Sequence, residues 1–453
     1  MSSYFFYGVA DWKMIPLLLG ATAVFYALGL WLRVEMRKGH ARNASRITVL
    51  GVVIGVGVLL YFKYLGFFAE SLGTLLRGIG LEVSWTTLHI VLPVGVSFFT
   101  FKLISYVIEV HREHIEPCKE FVEFGTYIAF FPTLLSGPID RPNTFLPQLR
   151  GERQFDYRMA ADGCKQILWG MFTKMCIADN LAPVTDAAWA SYTAQSGSTL
   201  VVVALLYFVQ LYADFDGYSN MAIGVGKLLG VKITRNFNHP MLARNMAEFW
   251  RRWHMSLTSW ITDYVFMPLN IAFRNLGNIG ICLACIINLV VIGLWHGANW
   301  TYGLFGLYHG LLFIPLVYTG AFGKNKKIKP TVHGFPKAMD ILKMAGTFCL
   351  VSAGLVLFRA PSVHDAFSFL SGVCSASLLS VPSLNMAKTT WLFIVLLFVM
   401  EWVQRDREHP LDMNGSSAGL FKHAPVRYLV YIVLIGIIWF FQGAAMSFMY
   451  FEF

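Results

Sequence analysis

The feature that most constrains this chain is a series of apolar runs long enough to cross a lipid bilayer. A membrane-spanning helix needs about 20 apolar residues, and it satisfies its backbone polar groups without water. Charged residues make up 14% of the 453 positions, against about a quarter in an average soluble protein. The pattern predicts an all-α polytopic membrane protein with about ten transmembrane helices. These are expected at residues 14–32, 46–67, 89–110, 164–184, 199–226, 278–295, 302–320, 340–358, 389–403 and 428–448.

The distribution of Lys and Arg between these runs predicts the orientation of the chain. Loops rich in Lys and Arg stay on the cytoplasmic side. The loop 33–46 is strongly basic and is therefore expected inside, which places the N-terminus outside. Alternation from there puts the other basic loops inside as well, at 141–158, 227–277, 321–339 and 404–427. Both termini, including the final Tyr450-Phe451-Glu452-Phe453, are then expected on the external side.

Two further apolar segments are too short or too interrupted to cross. They are residues 121–135 and 260–273, the second broken at Pro268. Both are expected to enter and leave on the cytoplasmic side. Re-entrant backbone is tolerated only where protein buries it or where it lines a cavity, so these segments are candidate walls of an internal chamber. No internal repeat or soluble domain is visible, and residues 1–453 are predicted to form a single membrane-embedded domain.

The net charge of +10 arises from 36 Lys and Arg against 26 Asp and Glu. Because the basic residues fall in loops between apolar runs, contact with the anionic headgroups of the lipid bilayer is favoured over nucleic-acid binding. The same basic face is suited to attract an anionic cofactor. The sequence contains no HExxH and no acidic calcium loop, so no metal site is predicted.

Two histidines stand in polar segments at either end of an apolar run. Phe249-Trp250-Arg251-Arg252-Trp253-His254 precedes the run, and Leu294-Trp295-His296-Gly297-Ala298-Asn299-Trp300 follows it. The topology places His254 in the cytoplasmic basic block and His296 at the external end of the crossing 278–295. An ionisable side chain at membrane depth is costly and by default marks a functional site. The arrangement suits a reaction that joins a cytoplasmic anionic donor to an external acceptor.

The chemistry of imidazole makes His296 a candidate general base. It titrates near neutrality, so it can take a proton from a hydroxyl and return it to a leaving group. Packing at a helix end is the alternative role for this residue. Asn299 is a candidate to orient the ring or to donate to a developing oxyanion, and a simple polar role at a helix terminus explains it as well.

His254 and the residues before it are candidates for the donor side of the reaction. Arg251 and Arg252 can bind the phosphates of a nucleotide-like donor, and Trp250 and Trp253 flank them. The ordinary alternatives stay open, because paired interfacial Arg residues often contact lipid headgroups. An interfacial His can likewise extend towards water.

A second polar group lies inside the apolar run 199–226, where Asp214 and Asp216 stand two positions apart. Neighbours on one helix face are three or four residues apart, so the two carboxylates cannot share a face. Carboxylates in a membrane helix need partners or a watery cavity, and Gly217 is a candidate point for a break. The alternative function is a proton- or ion-coupled transporter that uses these carboxylates, although the expected inverted repeat is not visible.

Seven blocks of sequence, in order from about residue 90 to 360, match the pattern of a known family. They are Pro93-Val94-Gly95-Val96-Ser97-Phe98-Phe99-Thr100-Phe101, Ser136-Gly137-Pro138, Asp214-Phe215 with Gly217-Tyr218-Ser219, Asn236-Phe237-Asn238, Glu248 to His254 with Ser256-Leu257, Gly293 to Asn299, and Phe358-Arg359-Ala360. The chain resembles the membrane-bound O-acyltransferases, in the bacterial branch that includes the alginate O-acetylation membrane subunit and the D-alanyl transfer subunit of teichoic acid modification.

The resemblance implies a ring of tilted helices around a tunnel that joins the two sides of the membrane. It implies that His296 is the catalytic residue and His254 the second characteristic polar residue. Acetyl-CoA is the implied donor, approaching from the cytoplasm. The acetyl group is expected to reach a polysaccharide acceptor or a periplasmic SGNH-type acetyltransferase partner. The chain is then expected in the bacterial inner membrane with both termini periplasmic, as an O-acetyltransferase subunit of exopolysaccharide secretion.

The sequence departs from the family pattern at several positions. The glycine-rich turn expected after Pro268-Leu269 reads Asn270-Ile271-Ala272-Phe273-Arg274. Asp216 stands where a small residue is common, and Asn220 where Asp is common. These departures suggest a polymer other than alginate, such as acetylated cellulose. D-alanyl-type transfer to a cell-wall polymer and a scaffold that recruits a soluble acetyltransferase stay open as alternatives.

Overall fold

The structure, a computed structural model, describes residues 2–81, 91–151, 154–323, 334–412 and 423–449. Within these ranges every regular element is a helix, which confirms the predicted all-α fold. The terminal residues 450–453, and much of the basic loop 321–339, lie outside the described residues.

The described chain forms 21 α-helices. The first eight are α1 (Ser2–Asp11), α2 (Ile15–Arg37), α3 (Ala41–Leu59), α4 (Leu65–Gly78), α5 (Val96–His111), α6 (Phe121–Ile128), α7 (Phe131–Leu134) and α8 (Pro142–Phe145). The next six are α9 (Tyr157–Met171), α10 (Asp179–Ala190), α11 (Gly197–Leu228), α12 (Met246–Trp250), α13 (Met255–Ile261) and α14 (Met267–Ala272). The last seven are α15 (Asn278–His296), α16 (Trp300–Leu311), α17 (Ile314–Tyr318), α18 (Ala338–Arg359), α19 (Val363–Val373), α20 (Lys388–Val403) and α21 (Ala424–Phe441).

Seven helices of the described chain are long and apolar enough to cross a membrane, which makes this a multi-pass membrane protein. They are Ser2–Arg37, Ala41–Gly78, Gly197–Leu228, Asn278–His296, Trp300–Tyr318, Ala338–Arg359 and Ala424–Phe441. Each coincides with a predicted crossing. The other three predicted crossings are not among them. α5 and α20 have only 16 residues each, and the helical segment at 164–184 contains Lys165, Lys174 and Asp179.

The chain divides into two compact units. The first comprises Met1–Tyr157 and Gly226–Thr234, and the second comprises Arg158–Val225 and Arg235–Phe453. In the first unit, α2, α3 and α5 pack against one another. The second unit contains both candidate histidines. The single domain over residues 1–453, and the ring of helices around a tunnel, stay predictions.

The helix that follows His254 does not break where the sequence suggests. From Met255 to Ala272 it continues through α13, a π-helical turn at Thr262–Phe266 and α14. The predicted break at Pro268 is therefore wrong. Proline lacks an N–H and clashes with the preceding turn of a regular α-helix. Here it falls in the first turn of α14, directly after the wider π turn.

α11 is also uninterrupted, so the break considered at Gly217 does not occur. This glycine instead allows two helices to approach closely. A Cβ at Gly217 would lie 2.8 Å from the carbonyl oxygen of Gly170 in α9, and a Cβ at Gly170 would lie 2.5 Å from that of Gly217. Small residues of this kind are typical of helix contacts in membranes, where dispersion between closely packed backbones holds helices together.

Candidate active site

His254 lies at the junction of α12 and α13, in a backbone conformation uncommon for a residue with a side chain. Its φ of 42° falls in the left-handed region. Two backbone hydrogen bonds hold this turn. Met255 N donates to Asn236 O at 2.7 Å, and Asn238 N donates to Arg252 O at 2.9 Å. Strained residues persist where the surroundings over-determine them, and they cluster at functional sites.

The His254 side chain is fully buried. The interpretation of this residue as an interfacial side chain that reaches water is therefore wrong. Burial lowers the pKa of His254 to about 3, because a charged imidazolium would lose its hydration. The ring makes an edge-to-face contact with Phe215, with the two ring centroids 4.8 Å apart. The imidazole is therefore neutral at physiological pH.

The hydrogen bonds of Asn236 determine which nitrogen of neutral His254 carries the proton. Asn236 is completely buried, and its Oδ1 accepts from the backbone N–H of Ser256 at 3.4 Å. A backbone N–H can only donate, so the atom facing it is the amide oxygen. The same Oδ1 lies 3.0 Å from His254 Nδ1. Nδ1 must therefore be the donor, which leaves Nε2 as the basic nitrogen of His254.

The two candidate histidines contact the same tryptophan. His296 is the last residue of α15 and only 4% of its surface is exposed. The ring centroid of His296 lies 5.1 Å from that of Trp295, and the ring centroid of His254 lies 5.9 Å from that of Trp295. Phe358 covers the His296 ring from α18 at 5.1 Å. The structure therefore brings both predicted histidines into one aromatic cluster.

A cleft of about 220 Å³ lies along the helix that carries His296. Trp250 and Arg251 form part of its wall, together with Phe266 of the π turn. From α15, Asn288 and Ile292 face it. Residues 288, 292 and 296 are four apart and therefore lie on one helix face. His254 and His296 themselves are not among the residues that line the cleft.

Of the four residues predicted to bind the donor, two line the cleft and two do not. Trp250 Nε1 donates to His309 Nδ1 at 3.3 Å, and this bond fixes the indole in the wall. Arg251 also lines the cleft and donates to the carbonyl of Phe322 at 3.3 Å. Arg252 instead pairs with Glu248 at 2.8 Å.

Trp253 lies in an aromatic cluster rather than in the cleft wall. It stacks on Phe249 at 5.5 Å and meets Phe237 edge-on at 5.0 Å. Arg252 and Trp253 therefore contact side chains of the protein and do not line the cleft. Donor binding by any of the four residues stays a prediction.

Asn299 caps the helix that follows His296. Its Oδ1 accepts from Thr301 N at 3.1 Å, and its Nδ2 donates to Pro361 O at 2.9 Å. Both ends of the amide are thus engaged in holding the start of α16. The helix-terminal role is confirmed, and the orienting or oxyanion role stays a prediction.

Asp214 and Asp216 are both buried and both hydrogen-bonded. Asp214 pairs with Lys174 at 2.7 Å and accepts from the backbone N–H of Met449 at 3.0 Å. Asp216 accepts from Asn220 Nδ2 at 2.8 Å. The two departures from the family pattern, Asp216 and Asn220, are therefore bonded to each other. Within the ranges that the structure describes, no group of three or more His, Cys, Asp or Glu side chains could hold a metal ion.

Comparison with known proteins identifies the family. Residues 118–329, which include His254 and His296, match the model of the MBOAT, membrane-bound O-acyltransferase family. The probable alginate O-acetylase AlgI of Pseudomonas aeruginosa is 36% identical over 396 residues, covering 86% of this chain and 72% of that protein. The chain belongs to the membrane-bound O-acyltransferase family. The resemblance inferred from the seven sequence blocks is confirmed, and the protein is an acyltransferase.

Other members of this membrane-bound O-acyltransferase family are similar over different lengths. The peptidoglycan O-acetyltransferase of Helicobacter pylori is 28% identical, over all of this chain and 90% of that protein. The teichoic acid D-alanyltransferase of Streptococcus thermophilus is 36% identical over 247 residues, covering 51% of this chain and 58% of that protein.

The structure adds two residues of this acyltransferase that sequence reasoning did not assign to the site. Asn236 sets the tautomer of His254, and His309 holds Trp250 in the cleft wall. Asn236 stands in one of the family-like blocks, but its partner is 18 positions away. His309 joins two helices, since it accepts in α16 from Trp250 in α12.

Proposed function

We propose that this protein transfers acetyl groups from cytoplasmic acetyl-CoA to a hydroxyl of an exopolysaccharide, directly or through a periplasmic SGNH-type partner. The observation that carries the proposal is that His254 and His296 contact the same tryptophan at the end of α15, the helix whose earlier turns form part of the cleft wall. The names of the relatives, alginate O-acetylase and peptidoglycan O-acetyltransferase, support transfer to a polysaccharide. The setting is the bacterial inner membrane, with both termini periplasmic.

His296 is the general base of the proposed reaction. It takes the proton of the incoming hydroxyl as the oxygen attacks the thioester carbonyl. The carbon–sulfur bond then breaks, and the sulfur leaves as the CoA thiol after His296 returns the proton. No net proton is gained or lost. His254 is neutral and its Nε2 is basic. It positions the hydroxyl of the acceptor by accepting a hydrogen bond from it, and it adds no charge to the site.

The donor enters the cleft from its polar end. Arg251 binds a phosphate of the nucleotide portion, and Trp250 supplies a flat apolar wall for the arm. The thioester then lies near the end of α15, which is His296. This geometry requires a donor with an extended arm between its anionic group and its reactive carbonyl.

His296→Ala tests the proposal, with His364→Ala as the matched control at an exposed position of α19. Removal of a general base lowers rates by about 10²- to 10⁴-fold. The purified proteins are given acetyl-CoA labelled in the acetyl group, and label on oligosaccharide acceptor or partner is counted. We expect loss in His296→Ala and full activity in His364→Ala, with both proteins eluting as folded monodisperse species. Normal transfer by His296→Ala would contradict the assignment.

D-alanyl transfer is the second candidate, favoured by the similarity to the Streptococcus thermophilus D-alanyltransferase. Mass spectrometry of the cell-surface polymer distinguishes the two, because a D-alanyl ester adds an amine and an acetyl ester does not. Loss of acetyl esters on deletion of this protein is the expected result.

A further inference from the structure

Asn288 is an unusual residue for the middle of a membrane-spanning helix. It stands in α15, among residues that are otherwise almost all apolar, and only 9% of its surface is exposed. Its carbonyl oxygen Oδ1 is buried and accepts no hydrogen bond from any part of the chain that the structure describes. A buried acceptor left without a hydrogen bond costs about 1–3 kcal/mol. Helix-to-helix hydrogen bonding, the common role of Asn in membranes, requires a protein partner.

The environment of Asn288 points to a ligand. The residue lines the cleft described above, where most of the wall is apolar. The other hydroxyls and the indole of the wall are already engaged. Thr258 donates to Trp253 O at 3.1 Å, Thr262 donates to Thr258 O at 2.7 Å, and Trp250 donates to His309. The amide of Asn288 is therefore available to a molecule that enters this cleft.

The distance along α15 constrains what that molecule can be. Asn288 and His296 are eight residues apart on one helix face, about 12 Å at 1.5 Å per residue. If the thioester of the donor lies at His296, the part of the donor attached to the sulfur extends along the helix to Asn288. In coenzyme A that arm is pantetheine, whose two amides lie within roughly 10 Å of the sulfur at ordinary bond lengths. An amide side chain complements such a group because each can donate and accept.

We propose that Asn288 binds an amide of the pantetheine arm of the acyl donor, and so selects donors that carry this arm. The inference rests on the proposed function for the identity of the donor. The proposal adds Asn288 as a binding residue, separate from the charged and aromatic residues next to His254. The hydrogen bond between Asn288 and pantetheine would form when the donor binds. The donor then takes the place of the protein partner that the Asn288 oxygen lacks.

The test uses Asn288→Leu, which keeps the branching at Cγ and removes the amide. Leu283→Ala, at a more exposed position of the same helix, is the control. Three donors are compared: acetyl-CoA, S-acetylpantetheine and S-acetyl-2-mercaptoethanol, which has no amide. We expect Asn288→Leu to lower kcat/KM by roughly 5- to 100-fold for the first two donors and to leave the third unchanged. Equal losses on all three donors, or no loss on any, would overturn the proposal.

Binding without turnover separates this proposal from the proposed function. Pantetheine is titrated into the purified full-length wild type and the two variants by calorimetry. Weaker binding by Asn288→Leu alone supports the assignment, even if the wild type transfers no acetyl group. Equal binding by wild type and Asn288→Leu, or none by the wild type, refutes it. Asn288→Leu is expected to melt no lower than the wild type, since it removes an unsatisfied buried amide.

Discussion

Replacement of Asn236 by alanine is the most direct test of how His254 is held. The side chain makes three hydrogen bonds to other side chains, all buried. Its Oδ1 pairs with His254 Nδ1 at 3.0 Å and accepts from Ser256 Oγ at 2.8 Å, and its Nδ2 donates to Ser219 Oγ at 3.2 Å. At about 1 kcal/mol net for each bond, their loss destabilises the fold by about 3 kcal/mol. Partners left unsatisfied in the interior raise this to about 3–5 kcal/mol.

The same substitution should impair catalysis beyond its effect on stability. Asn236→Ala removes the acceptor that holds the proton on Nδ1 of His254. Groups that orient a functional His typically contribute 10- to 100-fold, and a shift of about 1 Å at a reacting group costs a similar factor. We expect acyl transfer by Asn236→Ala to fall about 10- to 100-fold at a temperature where the variant is still folded.

Asn238→Ala is the matched control for this measurement. It removes the same kind of side chain two positions away. Asn238 bonds to Arg252 through its own backbone N–H and carbonyl, so the substitution leaves these bonds in place. A substitution away from such contacts changes stability by less than about 0.5 kcal/mol. Thermal unfolding in detergent and acyl transfer are measured for both variants. If Asn236→Ala and Asn238→Ala melt and react alike, the inferred role of Asn236 is refuted.

Two further predictions concern the pH dependence of stability and the packing of α11. The folded-state pKa of His254, about 3, lies below the value of about 6.5 in an unfolded chain. The unfolded state therefore binds a proton first, and His254 should contribute a loss of stability of up to about 1.4 kcal/mol per pH unit as pH falls below 6.5. Chemical unfolding at several pH values checks this, and His254→Gln should reduce the slope by that amount; an unchanged slope would contradict it. Gly217→Ala places a methyl group 2.8 Å from a backbone oxygen and should destabilise by about 1–3 kcal/mol. Gly436→Ala, in α21 with open space around it, should be neutral or stabilising in the same melting assay, and equal effects of the two would refute the packing argument.

The membrane spans could be predicted because their signal is carried by each segment alone. An apolar run of about 20 residues must be buried in lipid or protein whatever its neighbours are. The break predicted at Pro268 and the candidate break at Gly217 do not occur, for a different reason. Both residues weaken an isolated helix, but the outcome depends on what lies beside it. A π turn before Pro268 and a glycine opposite Gly217 remove the penalty, and neither is visible in local sequence.

The same distinction applies to the candidate site, where single residues could be predicted and the contacts between them could not. His254 and His296 could be identified because an imidazole among apolar residues is costly wherever it is finally placed. Their shared contact with Trp295 depends on the turn at His254, whose left-handed backbone no periodicity indicates. Asn236 is harder still. It is one of many polar residues in a loop, and only its position opposite His254 and Ser256 gives it a role.

The buried carboxylates show how partners decide between two functions. From the sequence, Asp214 needed either a counter-ion or water, and the second option led to the transporter alternative. The counter-ion is Lys174, 40 positions earlier, which also pairs with Asp179 at 2.6 Å. A relay needs a carboxyl group that exchanges its proton along a path. Asp214 is instead fixed by an ammonium group and by the backbone N–H of Met449. One cation shared by two acids, with a further hydrogen bond from Met449, is an arrangement that holds helices in place rather than one that passes a proton along a path.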